Sequence, residues 1–423
     1  MQKLTKWALA TAALFALTPS AARSGVFYDD GATTMHFAFE GSPNGDRPIV
    51  RAPAFYHADD GFGFVDSPTL TGNAQGVSAP KYFRFDVNLP PGNYDVAVTL
   101  GNPELDSVTT VKAEGHRPML LDVQAFAGEP VTRTFTVNVR HGDVPKTEHD
   151  GWLDNDARIN LEFEGVRPSL MKLDIRPNTT APTVYIAGDS TVCDQDNIPF
   201  VGWGQMLPIL FKPGEVVVAN YATSGRTAKS FIAEHRLGMI DKLIKPGDYL
   251  LVQFATNDMK DKSLDAAKWK GYLQTYIDDA RKHQATCILV TAQPRRQFDA
   301  NGKIINSLGE FPQWMRDLAA EQKVPLVDLN AKSTAFFETL GPDGTTKAFV
   351  HFPAGTFPTH PEALADNTHF NAYGAYELAK LVAQGIKEQS PDLAAHLVSN
   401  IATNTDPGKF PGHLGYEYLT DGK

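Results

Sequence analysis

Residues 183–191 read TVYIAGDST, and this stretch decides the fold of the second half of the chain. The apolar run Val184–Ala187 is short and uninterrupted, which is typical of a strand that is buried on both faces of a sheet. Similar runs follow at Val216–Ala219, Tyr249–Gln253, Cys287–Thr291 and Leu326–Leu329. Because strands of this kind occur in parallel sheets covered by helices, we predict an α/β fold.

Helical patterns lie between these runs. The clearest one places apolar side chains three and four residues apart from Trp269 to Ala280, with Ser263 as the predicted N-cap. Gly374–Lys387 is predicted to form the last helix. Strands that alternate with helices indicate three layers, in which a parallel sheet lies between two layers of helices.

The preceding part of the chain has the pattern of strands and turns. Residues 82–89 and 94–100 alternate apolar and polar side chains on either side of the turn Pro90–Asn93, which predicts a β-hairpin. Further strands are predicted at Met119–Val123, Thr132–Val139, Ile159–Phe163 and Leu170–Ile175. Since none of these segments has helical periodicity, we expect residues 25–178 to form an antiparallel β-sandwich.

The first 22 residues have the composition of a secretory signal. Lys3 and Lys6 form a short basic region, and an apolar run over residues 7–17 precedes the small residues 20–22. This run is shorter than the roughly 20 residues with which a helix spans a bilayer. We therefore expect residues 1–22 to be removed and the mature protein to reach the periplasm or the outside of the cell.

Composition argues against several classes of protein. The chain has 423 residues with 39 basic and 49 acidic side chains, a net charge of −10, which argues against a nucleic-acid partner. No later stretch resembles a membrane span. Cys193 and Cys287 are predicted at opposite ends of parallel strands, which favours two free, buried thiols over a disulfide.

Residue types suited to catalysis follow the predicted strands, at the edge of a parallel sheet where functional side chains collect. Ser190 follows the first strand, Gly225 the second and Asn257 the third, and Asp366 and His369 precede the last helix. Of the 12 histidines, only His369 has an aspartate three residues before it. The convergence of these segments favours catalysis over the structural alternatives, which are a helix N-cap for Ser190 and a turn residue for Asp366.

The chemistry that these residues suit is nucleophilic attack by a serine. A serine hydroxyl becomes a nucleophile when an imidazole removes its proton, as His369 can do if Asp366 fixes the tautomer of its ring. The tetrahedral intermediate needs hydrogen-bond donors. The backbone N–H groups of Ser190 and Gly225 and the side-chain amide of Asn257 can supply them.

The segments GDST, NYATSGRTAKSF, FATND and DNTHFNAYGAYELA resemble the SGNH/GDSL hydrolase superfamily, and within it the rhamnogalacturonan acetylesterases and related carbohydrate acetylesterases. The resemblance covers residues 183–389, and it assigns the same catalytic and oxyanion roles as the chemistry above. Thr191 departs from the leucine of the family name, and Ala255 stands where the family has glycine. Residues 390–423 are predicted to be a C-terminal extension.

Residues 25–178 resemble the galactose-binding-like β-sandwiches that precede such esterases. Sugar binding and structural support of the esterase both remain open as roles, and we expect this half to affect polymeric substrates more than small esters. Asp150, Asp154 and Asp156 offer oxygen atoms suited to calcium, but a solvated turn is the favoured interpretation.

The resemblance implies a secreted serine esterase that removes O-acetyl groups from a plant polysaccharide or oligosaccharide, with pectin or rhamnogalacturonan as the expected substrate. The reaction needs no cofactor or metal. The alternatives are a lipase or thioesterase of the same superfamily, and a carbohydrate-binding protein without activity.

Substrate contacts are predicted for three side chains. A sugar ring can stack on Trp203, and Arg295 and Arg296 can bind a galacturonate carboxylate through two hydrogen bonds. The alternatives are core packing for Trp203 and a solvated loop for the two arginines.

Overall fold

The computed structural model describes residues 27–28, 35–39, 49–52, 54–73, 75–140 and 158–410. The predicted signal over residues 1–22 and the candidate calcium residues Asp150, Asp154 and Asp156 lie outside these ranges. Within the ranges, no helix has both the length and the hydropathy needed to cross a membrane.

The N-terminal half is built from strands that pair mostly in antiparallel fashion. They are β1 (Phe27–Tyr28), β2 (Met35–Phe39), β3 (Ile49–Val50), β4 (Phe62–Val65), β5 (Thr71–Asn73), β6 (Gly76–Ser78), β7 (Tyr82–Asn88), β8 (Gly92–Leu100), β9 (Ser107–Ala113), β10 (Arg117–Ala125), β11 (Val131–Val139), β12 (Arg158–Val166), β13 (Ser169–Leu170) and β14 (Lys172–Pro177). The strands predicted at residues 119–123, 132–139 and 159–163 are confirmed. The strand predicted at residues 170–175 is divided at Met171 into the end of β13 and most of β14, which belong to different sheets.

Two sheets share the hydrophobic core of this half. One has the strand order β1-β2-β14-β8-β11, and the other has the order β10-β9-β12-β7-β4. Val96 and Val98 of the first sheet and Phe83 and Phe85 of the second belong to the same cluster of buried side chains. The alternation of apolar residues along these strands thus points each sheet's apolar face toward one core.

The predicted hairpin between residues 82–89 and 94–100 is wrong. Both segments are strands, but β7 pairs with β4 and β12, whereas β8 pairs with β11 and β14. The turn at Pro90 therefore carries the chain from one sheet to the other. The physical reason is that both strands bury their apolar faces in the shared core from opposite sides, which adjacent strands of one sheet cannot do.

The second half alternates strands and helices. Its strands are β15 (Thr183–Gly188), β16 (Val217–Asn220), β17 (Tyr249–Gln253), β18 (Thr286–Val290), β19 (Leu326–Val327), β20 (Phe349–Phe352) and β21 (Leu364–Phe370). Its helices are α1 (Trp203–Met206), α2 (Ala228–Ala233), α3 (Arg236–Asp241), α4 (Ala266–Lys282), α5 (Phe311–Gln322), α6 (Leu329–Thr345), α7 (Ala372–Gln389) and α8 (Pro391–Ala394).

A parallel sheet with the order β16-β15-β17-β18-β19 forms the centre of this half. Val184 and Ile186 of β15 lie in one hydrophobic core, which includes residues of α6 and α7. Tyr185 and Ala187 lie in a second core, which includes residues of α4 and α5. Because successive side chains of a strand point to opposite faces, helices on both faces explain why the run is apolar throughout, and the predicted α/β fold is confirmed.

Two predicted details of this half differ from the structure. The N-cap of α4 is Asp265, which accepts a hydrogen bond from the backbone N–H of Lys268, while the hydroxyl of Ser263 donates to Asp261. The last strand of the sheet is shorter than predicted, since Leu329 already begins α6. Residues 366–369 lie on β21, which ends just before the last helix, α7.

The first strand of the α/β half contacts the N-terminal half, and the residues after its last long helix pack on its own core. Only residues 178–182 separate β14 from β15, and Asn93 Nδ2 donates to Thr183 Oγ1 at 2.9 Å across the junction. In the predicted C-terminal extension, Leu393, Leu397 and Ile401 join the core that contains α7. Cys193 and Cys287 are both buried and free, as predicted.

Candidate active site

Ser190 lies at the centre of the carboxyl edge of the parallel sheet. It follows β15, which has β16 on one side and β17 on the other. The turn is fixed by Asp189, whose Oδ1 accepts hydrogen bonds from the backbone N–H and the hydroxyl of Thr191 at 2.9 and 2.8 Å. Asp189 is fully buried, and this burial raises the pKa of its carboxyl group. Ser190 itself remains partly accessible.

The structure brings Ser190, His369 and Asp366 into one hydrogen-bonded series. Ser190 Oγ lies 2.8 Å from His369 Nε2, and His369 Nδ1 lies 2.8 Å from Asp366 Oδ2. The other oxygen of Asp366 accepts the backbone N–H groups of Thr368 and His369 at 2.6 and 3.0 Å.

These bonds determine the charge of Asp366. Burial opposes ionisation of the carboxyl group, but the hydrogen bonds from His369 and Thr368 outweigh it and lower the pKa to about 2. An ionised carboxylate can only accept hydrogen bonds, so the proton of a neutral His369 ring lies on Nδ1. Nε2 is then free to accept the hydroxyl proton of Ser190.

Strand β21 carries His369 to this position from outside the parallel sheet. It pairs with β20 in antiparallel fashion, and Phe370 O accepts the backbone N–H of Val201 at 2.9 Å. Phe200 lies edge-on to His369, with ring centroids 5.7 Å apart. The sequence does not predict this role for Phe200, because a single aromatic residue in a loop forms no pattern.

Donors for a developing oxyanion lie on the two neighbouring loops. The loop after β16 is tied to the nucleophile strand by a hydrogen bond from Thr223 N–H to Gly188 O at 3.1 Å, and it contains Gly225 at a φ of 80°. In the described part of the chain, neither Ser190 nor Gly225 donates its backbone N–H to a protein acceptor. These groups are therefore available to a substrate.

Asn257 follows β17, and its amide is oriented by its neighbours. Nδ2 donates to Arg226 O at 3.2 Å, and Oδ1 accepts from Lys260 Nζ at 2.8 Å. An amide nitrogen has two hydrogens, so one remains for a ligand. Ala255 adopts a φ of 140°, which glycine adopts more readily.

Buried polar groups hold these loops in place. Asp258 is fully buried and accepts hydrogen bonds from Ala228 N–H and Trp269 Nε1, both at 2.9 Å. Burial raises the pKa of Asp258 to about 6. Arg236 Nη1 donates to Thr223 Oγ1 at 2.7 Å, which supports the loop that contains Gly225.

The expectation that a sugar stacks on Trp203 is wrong. Its side chain is fully buried, and its Nε1 donates to Gln253 Oε1 at 2.9 Å. Gln253 in turn donates to Thr191 Oγ1 at 2.9 Å. Trp203 thus supports the turn beside Ser190 from within the core, which was the alternative interpretation of this residue.

The two arginines after β18 have different surroundings. Arg296 donates from Nη1 to Asn367 Oδ1 at 3.0 Å and from Nη2 to Pro342 O at 2.7 Å, and its backbone N–H bonds Asn367 O. These bonds tie β21 to its neighbours, and the substrate contact predicted for Arg296 stays a prediction. In the described residues, no acceptor bonds the guanidinium group of Arg295, so its predicted substrate contact stays a prediction.

Sequence reasoning missed the close packing around Ser190. Gln195 Nε2 donates to Ser190 O at 2.7 Å. Gly202 and Gly204 lie against the backbone of Val192, where a Cβ atom would approach within 2.5 Å of Val192 atoms. The two glycines on either side of Trp203 were the available signal of this close approach.

One group of side chains away from Ser190 has the composition of a cation site. Ligand atoms of Asp241, Asp279 and His283 lie within 4.8 Å of one another. Asp241 Oδ1 already accepts hydrogen bonds from Lys282 and His283 at 2.6 and 2.7 Å. Burial and the neighbouring Asp241 raise the pKa of Asp279 to about 6, so these groups are paired without a cation.

The arrangement around Ser190 suits acyl transfer. It combines a hydroxyl nucleophile, a base that can accept its proton, a carboxylate that orients the base, and free N–H donors nearby. In the described residues, Ser190, His369 and Asp366 are in direct contact, while Gly225 and Asn257 lie on loops that meet at the same edge of the sheet.

Comparisons with known proteins agree with this chemistry. Residues 186–376 match the GDSL-like Lipase/Acylhydrolase family. The chain is 43% identical over 219 residues to rhamnogalacturonan acetylesterase RhgT of Bacillus subtilis (strain 168), which covers 51% of this chain and 94% of that protein. It is 32% identical over 363 residues to the uncharacterized esterase YxiM of the same organism, which covers 80% of this chain and 87% of that protein.

A solved structure is also similar to most of the chain. The crystal structure of YxiM from Bacillus subtilis aligns at 30% sequence identity and a TM-score of 0.45, covering 84% of this chain and 98% of that chain. The identity to RhgT over nearly its whole length, together with the match over residues 186–376, establishes the relationship. The chain therefore belongs to the GDSL-like lipase/acylhydrolase family.

Proposed function

We propose that this protein is a secreted serine esterase that removes O-acetyl groups from plant cell-wall polysaccharide, with acetylated rhamnogalacturonan or pectin as its substrate. The observation that carries the proposal is the series from Ser190 Oγ to His369 to Asp366, with hydrogen bonds of 2.8 Å at each step. The similarity to a rhamnogalacturonan acetylesterase supports the choice of substrate.

In the first half of the reaction, Ser190 Oγ attacks the acetyl carbonyl carbon and His369 Nε2 takes the hydroxyl proton. Asp366 remains ionised and stabilises the imidazolium. The oxyanion accepts hydrogen bonds from the N–H groups of Ser190 and Gly225 and from Asn257 Nδ2. The intermediate collapses, the sugar oxygen leaves with the proton from His369, and the acetyl group stays on Ser190.

In the second half, water replaces the sugar. His369 takes a proton from the water molecule, whose oxygen attacks the acetyl carbonyl. Collapse of the second intermediate releases acetate and returns the proton to Ser190 Oγ. Apart from the ester and the water molecule, every group in these steps belongs to the chain, so the proposed reaction needs no cofactor.

The remaining parts of the proposal concern the rest of the chain. We propose that residues 1–22 are a cleaved signal and that residues 25–178 form a galactose-binding-like β-sandwich beside an esterase domain over residues 183–389. The mature protein recovered from a culture would then begin at Arg23, which intact mass measurement tests. A mass that includes residues 1–22 would contradict cleavage.

Acetate release tests the reaction and the substrate together. Acetylated rhamnogalacturonan, acetylated homogalacturonan and acetylated xylan are compared, with Ser190→Ala as the control. We expect fastest release from rhamnogalacturonan and background release by the variant. Faster release from xylan would contradict the pectic substrate. Nitrophenyl octanoate hydrolysed faster than nitrophenyl acetate would favour a lipase, and failure of a fluorophosphonate to label Ser190 would favour a protein without activity.

A further inference from the structure

The nucleophile loop, residues 189–195, closes on itself around Ser190. Val192 N–H and Cys193 N–H both donate to Asp189 O at 3.0 Å. At the far end of the loop, Gln195 Nε2 donates back to Ser190 O at 2.7 Å. The position of Ser190 therefore depends on whatever holds residues 194 and 195.

Asp194 is held by two arginines of the N-terminal half. Arg117, the first residue of β10, donates from Nε to Asp194 Oδ2 at 2.8 Å, and its Nη2 lies 2.8 Å from the same oxygen. Arg140, which follows β11, donates from Nη2 to that oxygen at 3.3 Å. From the α/β half, Asn220 Nδ2 donates to Asp194 Oδ1 at 2.9 Å and to Val192 O at 3.0 Å.

The three charged side chains in these contacts are buried. The side chain of Asp194 is 1% exposed, and those of Arg117 and Arg140 are 0% and 4% exposed. A carboxylate without a counter-charge is strongly disfavoured in such surroundings. Among the described residues, the cations that bond Asp194 come from the N-terminal half, so the α/β half relies on the other half to neutralise its own nucleophile loop.

A second connection joins the same parts. Gln205, which is fully buried, donates from Nε2 to Gly115 O at 2.7 Å, in the turn between β9 and β10. Its Oε1 accepts the backbone N–H of Gln195 at 3.3 Å. The turn next to Arg117 is thus linked through Gln205 and Gln195 to the carbonyl group of Ser190.

We propose that Arg117 and Arg140 are positioning residues for the nucleophile, so that the N-terminal half completes the esterase site through Asp194. The inference rests on the proposed function, because it concerns how fast Ser190 attacks an ester. Neither arginine touches the reacting atoms. Their effect is to fix the loop in which Ser190 Oγ meets His369 Nε2, and a displacement of about 1 Å there can cost on the order of 10²-fold in rate.

The test uses the full chain with Arg117→Ala and Arg140→Ala. The matched control is Arg84→Ala, because Arg84 is also a buried arginine of the N-terminal half, but it bonds Asp86 within its own sheet at 2.7 and 2.6 Å. The measurements are kcat and KM for nitrophenyl acetate, the rate at which a fluorophosphonate labels Ser190, and the thermal unfolding temperature.

We expect each of the two variants to lower kcat and the labelling rate by about 10- to 100-fold with little change in KM, as for a misplaced nucleophile. Arg84→Ala should lower the unfolding temperature but leave kcat within about threefold of the wild-type value, as expected for a residue that does not bond Asp194. Equal kcat losses in Arg84→Ala and Arg117→Ala, or a wild-type kcat in Arg117→Ala, would overturn the proposal.

Two further variants keep the proposal testable if an alanine variant does not fold. Arg117→Lys retains the charge and should recover part of the lost kcat. In the background of Asp194→Asn, Arg117→Ala should cost far less than in the wild type, because the two side chains act as one pair; additive losses would contradict this.

The measurements also separate this inference from the proposed function. If the wild type hydrolyses no acetyl ester while labelling of Ser190 still depends on Arg117, the proposed function fails and the inference stands. If the wild type is an active acetylesterase and the variants match it, the inference alone fails.

Discussion

Asp366 is a residue whose ionisation is determined by its neighbours. It accepts hydrogen bonds from His369 Nδ1 and from two backbone N–H groups, and these bonds lower its pKa to about 2. Asp366→Asn places an amide where the ring needs a carboxylate, so the ring is held in the wrong tautomer. We expect kcat on nitrophenyl acetate at pH 7 to fall by roughly 10³- to 10⁴-fold, with the fold retained.

The same variant tests the pKa of Asp366 through stability. Because the pKa is lower in the folded chain than in the unfolded chain, ionised Asp366 stabilises the fold at neutral pH, and this contribution is lost as the pH falls from about 4 through 2. Denaturant unfolding between pH 5 and pH 2 should therefore show a smaller loss of stability in Asp366→Asn than in the wild type. Equal losses would indicate that the carboxyl group is not stabilised by its neighbours.

Arg295 and Arg296 are adjacent in sequence and form a matched pair of variants. Arg295→Ala removes a guanidinium without a protein acceptor in the described residues, so it should raise KM several-fold for acetylated rhamnogalacturonan and leave nitrophenyl acetate unchanged. Arg296→Ala breaks the bonds to Asn367 and Pro342 next to Asp366, so it should lower kcat on both substrates. Identical effects of the two changes would contradict the distinction that the structure draws between them.

At the scale of single elements, the N-cap of α4 is a different residue from the one that the sequence predicts. Asp265 accepts the N–H of Lys268, whereas the hydroxyl and the backbone N–H of Ser263 both donate to Asp261. Asp265→Ala should lower the free energy of unfolding by about 1 kcal/mol, the usual cost of losing an N-cap. Ser263→Ala should change it by less than about 0.5 kcal/mol. Denaturant unfolding of both variants checks the assignment, and the reverse order would restore Ser263 as the cap.

Asp258 shows how elements are joined around the site. It receives hydrogen bonds from the first residue of α2 and from Trp269 of α4, and it directly follows Asn257. The buried carboxyl group of Asp258 therefore fixes α2, α4 and the loop that contains Asn257 to one another. This arrangement explains why Asn257 is held close to Arg226 and the loop that contains Gly225.

At the scale of the whole molecule, the contact between the two halves changes the expectation for a shortened chain. The sequence favours a fragment from Thr180 that keeps activity on small esters and loses it on polymers. Because Arg117 and Arg140 neutralise Asp194, we instead expect the fragment to lose hydrolysis of nitrophenyl acetate and of acetylated polysaccharide by the same factor. Circular dichroism reports whether the fragment folds, and selective loss of polymer hydrolysis would support the sequence expectation.

The length of one relative bears on this expected dependence. RhgT aligns over 219 residues that make up 94% of its length, so it is too short to contain both halves. In this chain, Arg117 and Arg140 of the N-terminal half contact Asp194, and we propose that this contact supports Ser190.

The sequence by itself determined which segments form strands and helices in the second half. An uninterrupted apolar run such as Val184–Ala187 is buried only when both faces of its sheet are covered. The helical periodicity of the intervening segments predicts the helices that cover them. The sequence also named Ser190, Asp366 and His369, because the chemistry of a serine nucleophile requires these residue types.

Tertiary structure alone decided which segments meet. Ser190 and His369 are 179 positions apart and come into contact only because β21 packs beside the carboxyl edge of the sheet. The alternation in β7 and β8 predicted two strands but not their placement in different sheets, since the period of a strand does not identify its partner. The burial of Trp203 and the pairing of Arg117 with Asp194 likewise depend on residues distant in sequence, because burial and counter-charge are supplied by the folded neighbours and leave no local pattern in the chain.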